Sequence, residues 1–232
     1  FGLSDGADVR AIDIVPAVGG GSLVTAKLEK QSLCFTISEP GKHWVSNAMA
    51  VLAAVRAMDV DLAIAGIALA ELKGLVGRGK RHNIGASDNG KALLIDESYN
   101  ANPGSMTATL AQLSQERCAG KKIAVLGAMG ELGDKSKQYH EALADDIAVS
   151  GASLLILVGD EMAHTFGKLE RKWDETLEDA PKIFHVAGSS DALGIVQSEI
   201  NDDDVILVKG SNYLGLAKLV SVLTQTSASR KK

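Results

Sequence analysis

The run Asp96-Glu97-Ser98-Tyr99-Asn100-Ala101-Asn102-Pro103-Gly104-Ser105-Met106 gathers carboxylates, amides and an aromatic ring directly after the apolar segment Ala92-Leu93-Leu94-Ile95. That order reads as a strand ending in a ligand-facing turn that leads straight into a helix. Asn102 is a good N-cap, and Pro103 suits the first helical position, where its missing N–H costs nothing and its φ is already helical. The helix start would aim its N–H groups and positive dipole end at an anion in the turn, while the Asp96 and Glu97 carboxylates hold ribose hydroxyls or a metal. A nucleotide phosphate is the natural candidate. On its own Glu97 reads as an ordinary strand-end carboxylate, and the residues that follow it reverse that reading. Asp96 can instead cap local structure.

Other residues carry weaker signals. Lys209, at a strand end before Gly210-Ser211 and a helix, can neutralise a carboxylate or phosphate, and Ser211 reads as a plain N-cap. Arg78 and Arg81 lie in the basic, Gly-rich segment 74–81 and by default are solvated charges. Asn47 falls within an otherwise apolar helix, where an amide must find partners or cost about 1–3 kcal/mol. The glycines of Gly127-Ala128-Met129-Gly130-Glu131-Leu132-Gly133 run G-x-x-G-x-x-G without the usual acidic partner, which argues against a nicotinamide site. No Walker-type loop is present: the lysines of Gly41-Lys42, Gly90-Lys91, Gly120-Lys121 and Gly167-Lys168 precede the wrong residue, and Gly133-Asp134-Lys135-Ser136 has the wrong order.

The elements that must position these residues form two patterns. Segments Val9 to Val15, Ser22 to Leu28 and Ser32 to Ile37, separated by Gly19-Gly20-Gly21 and Glu29-Lys30-Gln31, predict a small antiparallel meander. Two Ala-rich helices follow, His43 to Met58 and Leu62 to Leu72, the first apolar on almost every side as if buried between layers. From residue 82 the pattern becomes strand-helix alternation, with strands near Leu93, Ala124, Leu155, Phe184 and Leu207. The expected fold is α/β: a doubly wound, mainly parallel, Rossmann-like sheet preceded by the meander and helices. Strands ending at Gly127, Gly159, Gly188 and Gly210 put the motifs at the carboxyl edge, where ligands of such sheets collect. Ser227 to Lys232 reads as a frayed tail.

Composition narrows the field. The 232 residues allow one large domain or two small ones, and two is the better fit. Lys plus Arg at 24 against Asp plus Glu at 29 leaves a net charge of -5, which argues against a nucleic-acid-coating protein. Cys34 and Cys118 are far apart, without metal-ligand spacing, and read as buried free thiols. No apolar run reaches bilayer length, Phe1-Gly2-Leu3-Ser4-Asp5 lacks signal-peptide character, and a cytoplasmic protein is expected.

The turn at 96–106 resembles the Mur ligase family of peptidoglycan synthesis. So do Gly41-Lys42-His43-Trp44-Val45-Ser46-Asn47-Ala48-Met49-Ala50, Leu72-Lys73-Gly74-Leu75-Val76-Gly77-Arg78-Gly79, the 127–133 loop with His140, and Val208-Lys209-Gly210-Ser211, in order along nearly the whole chain. The resemblance implies that residues 1–81 are the end of an ATP-binding central domain and 82–232 the C-terminal domain. It also implies ATP-dependent addition of D-alanyl-D-alanine to UDP-N-acetylmuramoyl-tripeptide through an acyl phosphate, with Mg2+ ligands mostly outside this chain. Nucleotide contacts would come from Asn47, Arg78, Arg81, Glu97, Asn100 and Asn102, and substrate contacts from Tyr99, His140, Lys209 and Ser211. Arg78 and Lys209 would serve catalysis, and no metal ligand is assigned. Trp44, Ala128, Gly130 and Asn212 depart from the family pattern. A Walker loop and a UDP-binding domain would belong to a missing N-terminal half, so this portion alone is expected to be inactive. The other reading is a stand-alone nucleotide- or dipeptide-binding module.

Overall fold

The computed structural model describes the chain except for residues 19, 30, 39–40, 73–75, 87–89, 174–179 and 230–232, and except for the side chains of 226–229. Gly19 and Lys30 of the two meander turns, Lys73-Gly74-Leu75 of the linking segment and the end of the tail thus lie outside the described residues. The chain divides into two compact units, Phe1–Gly74 and Leu75–Lys232. Residues 76–81, grouped by the sequence with the first part, fall in the second unit.

In the first unit β1 (Val9–Pro16), β2 (Ser22–Leu28) and β3 (Gln31–Ile37) form the antiparallel meander, in the order β1-β2-β3. Period-2 alternation places Val24, Ala26 and Leu28 of β2 in the core with Phe35 and Ile37 of β3. Helices α1 (Lys42–Ala57) and α2 (Leu62–Glu71) complete it, α2 capped by the Asp61 side chain, which accepts from the Ala63 amide. Helix α1 is not buried on all sides as its composition suggested. Val45, Ala48, Met49 and Leu52 face the core, whereas Asn47, Val51 and Ala54, at helical spacing, are exposed.

The second unit is a six-stranded sheet in the order β4-β5-β9-β6-β7-β8. Its strands are β4 (Lys80–Gly85), β5 (Lys91–Glu97), β6 (Lys122–Gly127), β7 (Leu154–Val158), β8 (Lys182–Val186) and β9 (Val205–Lys209). All neighbours are parallel except β4, which runs antiparallel along the edge of β5. This edge strand was not anticipated, because Lys80-Arg81-His82-Asn83 has no apolar alternation. Each of β7 and β9 is buried along its whole length, as expected of parallel strands covered on both faces. On one face Leu126, Leu155 and Leu207 pack against α3 (Pro103–Gln115), α4 (Ser136–Ala148) and α5 (Met162–Lys172). On the other, Val125, Ile156 and Ile206 meet α6 (Ser189–Glu199) and α7 (Leu216–Ser229). No helix among the described residues is long and apolar enough to cross a membrane.

Because the last strand sits between β5 and β6, its core side chains hold the sheet together. Leu207→Ala should cost about 2–5 kcal/mol in urea unfolding, whereas Val149→Ala on the surface should stay within about 0.5 kcal/mol. A loss near that of the surface variant would mean that β9 is not the central strand.

Candidate functional site

The sheet order sets the carboxyl ends of β5 and β9 side by side, with Glu97 opposite Lys209. The Lys209 side chain is 2% exposed; its Nζ lies 3.7 Å from Glu97 Oε2 and donates to the Asn100 carbonyl at 3.0 Å. Burial pushes its pKa below the usual lysine value; Glu97 opposes that shift, and nearby Arg78 adds to it.

Asp96, one residue earlier than Glu97, is also buried, and its carboxylate bonds both within the turn and to the segment before β4. Oδ1 accepts from the Ser98 amide at 3.1 Å and its hydroxyl at 2.6 Å, and Oδ2 accepts from the Gly77 amide at 2.9 Å. Main-chain bonds from Tyr99 N to the Gly77 carbonyl and from Gly79 N to the Asp96 carbonyl complete the stitch. Position 77 requires glycine: its φ is +74°, and a Cβ there would stand 2.9 Å from the Tyr99 amide nitrogen. The stitch presents Arg78, whose guanidinium lies over the Tyr99 ring at 4.4 Å from the centroid.

Helix α3 begins as predicted, with Asn102 as N-cap and Pro103 in the first turn. The cap is reciprocal, since Asn102 Oδ1 accepts from Ser105 N and Ser105 Oγ accepts from Asn102 N. Two amides expected to face an anion are therefore spent within the helix start. Asn100 Oδ1 likewise accepts from the Ala101 amide.

A second group surrounds the loop after β6, on the other side of the β9 end. The Ser211 amide donates to the Ala128 carbonyl, and Ser211 Oγ accepts from the Gly130 amide at 2.8 Å. Ser211 stands at an N-cap position, but its side chain does not cap. The exposed ring of Tyr213 lies beside Gly130, and its pKa is raised by burial first, then by Glu161 and Asp160. His140 is fully buried: Nε2 accepts from the Met129 amide at 3.0 Å, and Nδ1 lies 2.8 Å from the Ser136 carbonyl.

The structure thus brings together Arg78, Glu97, Tyr99, Asn100 and Lys209 at one strand end, with Ser211 next along the chain. The resemblance counted Lys209, Ser211 and His140 as substrate contacts; in the structure Lys209 and Ser211 are buried within the framework, and both ring nitrogens of His140 are bonded to main chain. Arg81 is paired with Glu116 at the far end of α3, which leaves Arg78 as the cation of the turn. Asn47, on the exposed face of α1 in the first unit, is not the buried amide that the apolar helix suggested. Sequence reasoning missed Gly77 and Tyr213; the first was signalled only by its place in a Gly-rich run, the second by its position two residues after Ser211.

Chemically, the strand end offers an exposed guanidinium, a mostly buried carboxylate and exposed amides around an aromatic ring, which suits a phosphorylated, hydroxyl-bearing ligand. Among the described residues no three His, Cys, Asp or Glu side chains come together as a metal centre. With Glu97 beside Lys209, these donors do not fit a magnesium ion held by this chain alone.

Comparison with known proteins gives a consistent result. The family model for the Mur ligase glutamate ligase domain matches residues 81–212. The UDP-N-acetylmuramoyl-tripeptide–D-alanyl-D-alanine ligase of Mycobacterium leprae is 30% identical over 82% of this chain and 38% of its own length. A crystal structure of MurF from Acinetobacter baumannii superposes with a TM-score of 0.77 at 26% identity, covering 96% of this chain and 46% of that one. The Thermotoga maritima MurF structure in complex with ADP has a TM-score of 0.72 at 22% identity, over 97% and 48% of the two chains, and is alike in fold. The chain spans about two-fifths of the length of the curated relatives it matches.

Gly77→Ala should unseat the stitched segment at a cost of about 1–3 kcal/mol, read as a lower unfolding midpoint and faster exchange of the Tyr99 amide. An unchanged exchange rate would remove Gly77 from the turn's framework. Burial lowers the pKa of both His82 and His140 from 6.5 in the folded chain. The unfolded chain therefore binds more protons on acidification, so their contribution to stability is complete above 6.5 and is lost as pH falls below it. Urea midpoints measured from pH 7.5 downward should fall, and the His82→Leu, His140→Gln double variant should flatten that decline.

Proposed function

The chain belongs to the Mur ligase family, and on that premise we propose that it is the C-terminal portion of an ATP-dependent ligase joining D-alanyl-D-alanine to UDP-N-acetylmuramoyl-tripeptide in peptidoglycan synthesis. In this reading residues 1–81 end the ATP-binding central domain, 82–232 form the C-terminal domain, and the whole protein is cytoplasmic. The observation that carries it is the β5–β9 strand end, where Arg78 is held exposed over Tyr99 while Glu97 and Lys209 fix the turn beside it. The names of the relatives supply the substrates.

The γ-phosphoryl group of ATP passes to the tripeptide carboxylate, giving ADP and an acyl phosphate. The deprotonated amine of D-alanyl-D-alanine attacks the acyl carbon, the C–N bond forms as the C–O bond to phosphate breaks, and inorganic phosphate leaves while the amine's surplus proton passes to water. No covalent protein nucleophile is needed. The contribution of this chain is positioning and charge. Arg78 neutralises phosphate oxygens, Glu97 accepts from ribose hydroxyls, and Asn100 and Asn102 flank the phosphates. Lys209 acts as a positioning residue by tying Glu97 and Asn100 to β9, and Tyr99 acts as the seat of Arg78. Magnesium, implied by the family, is given no place among these residues, and no step is assigned to it.

The test uses the longer polypeptide that this reading requires. Phosphate release should depend on MgATP, UDP-N-acetylmuramoyl-tripeptide and D-alanyl-D-alanine together; the present chain alone should release none. Arg78→Ala should lower turnover by about 10²-fold, Arg81→Ala far less, and Glu97→Gln should raise the KM for ATP more than that for the dipeptide. A larger effect at Arg81 would move the phosphate contact there. Release without the dipeptide, or binding without turnover, would favour a binding module instead.

A further inference from the structure

Helices α1 and α2 of the first unit carry apolar residues on the side turned away from their own core. They share one core on a single face of the meander, to which α1 gives Val45, Ala48, Met49 and Leu52 and α2 gives Ala65 and Leu69. On the opposite side of α2, Ala63, Ile64, Ile67 and Ala68 are all exposed, Ile64 by 62% and Ile67 by 63%. The one charged residue of that helix is its last, Glu71. On α1 the exposed residues between Lys42 and Arg56 are Asn47, Val51 and Ala54, none of them charged. A helix whose outer side met water would carry charged groups there, whereas one that is apolar on all sides belongs between two layers.

The sheet shows the same deficit. Ile14 of β1 pairs with Val24 of β2, so the two side chains share the face that the helices cover. Val24 is fully buried, yet Ile14 is 38% exposed. The helices therefore cover β2 at this level and leave the end of β1 open.

We propose that the outward side of α1 and α2 is the seat of a further apolar layer of the same polypeptide, contributed by residues that precede this chain in the whole protein. Length and charge select that occupant. The chain is about two-fifths of the length of the curated relatives it matches and covers 46% of the MurF chain on which it superposes, so the remainder is long enough to form such a layer. Surfaces that bind and release a separate partner keep a polar rim, whereas permanent contacts resemble a domain core cut in half. The outward side of α2 has no charge before Glu71 and is of the second kind. The inference rests on the longer polypeptide of the ligase reading but not on its chemistry.

Ile67→Cys would be made both in this chain and in the longer polypeptide, and alkylation would be followed by peptide mass so that Cys34 and Cys118 do not interfere. The introduced thiol should react as a free surface thiol in a dilute solution of this chain, and at least about 10-fold more slowly in the longer polypeptide at every protein concentration. Ile67→Asp should move the thermal midpoint of this chain by no more than about 2 °C and lower that of the longer polypeptide by roughly 5 °C or more. Equal alkylation rates in the two proteins would overturn the proposal. So would protection that grows with protein concentration, as a second copy would give, or an Ile67→Asp shift no larger in the longer polypeptide than in this chain. Dipeptide-dependent turnover with the thiol exposed would overturn this inference alone, and a protected thiol without such turnover would overturn the ligase reading alone.

Discussion

A buried ammonium has few places to go, and that of Lys209 constrains the whole strand-end region. Removing such a charge from water costs several kcal/mol unless oxygen atoms replace the solvent. Here the replacements are the Asn100 carbonyl and the Glu97 carboxylate, on a turn 109 residues earlier in the chain. The turn must therefore lie against β9, and everything that depends on the turn inherits that position. Asp96 extends the constraint to the segment before β4 by accepting from Gly77, and Tyr99 extends it to Arg78. The exposed cation is thus located by a series of groups that are themselves not exposed.

The same economy operates on the other side of β9. Ser211 directly follows the Lys209-Gly210 strand end, and its hydroxyl oxygen receives the Gly130 amide. One strand end thus holds turns from two separate crossovers, after β5 and after β6. The side chains that do the holding are polar but buried, whereas Arg78, Tyr99 and Tyr213, left at the surface, are long or aromatic. This separation between anchoring groups and presented groups is what a site that works by positioning requires.

Local signals in the sequence survived contact with the structure, because their physics is local. Asn102-Pro103 set the start of α3, and the alternation in Ser22–Leu28 set the strand and its buried face. The parallel sheet could be read from strand-helix alternation, but the insertion of β9 between β5 and β6 could not, since pairing is decided among distant segments. Strand β4 escaped notice because an antiparallel edge strand needs only one partner's backbone and imposes little on its side chains. The candidate residues were recognised by type, but their surroundings were not. Lysine at a strand end reads as able to neutralise a carboxylate, without saying that Glu97 is the one beside it or that both are held in the framework; the sequence around His140 does not show that its ring is buried, and asparagine in an apolar helix reads as buried where Asn47 is exposed. Each of these depends on partners that no window of sequence contains, such as the Met129 amide for His140.

The central place of β9 also bears on how the chain can be made. Synthesis delivers β5 and β6 long before β9, so both present unpaired edges until residues 205–209 emerge and fill the gap. Such edges are templates for pairing with other chains, and contacts between distant segments form slowly. The sheet would thus stay divided on the ribosome from the emergence of β6 until that of β9, and both strand-end turns would acquire their anchors in one late event. Stability and site geometry would then arrive together, and a nascent chain arrested before β9 would have neither.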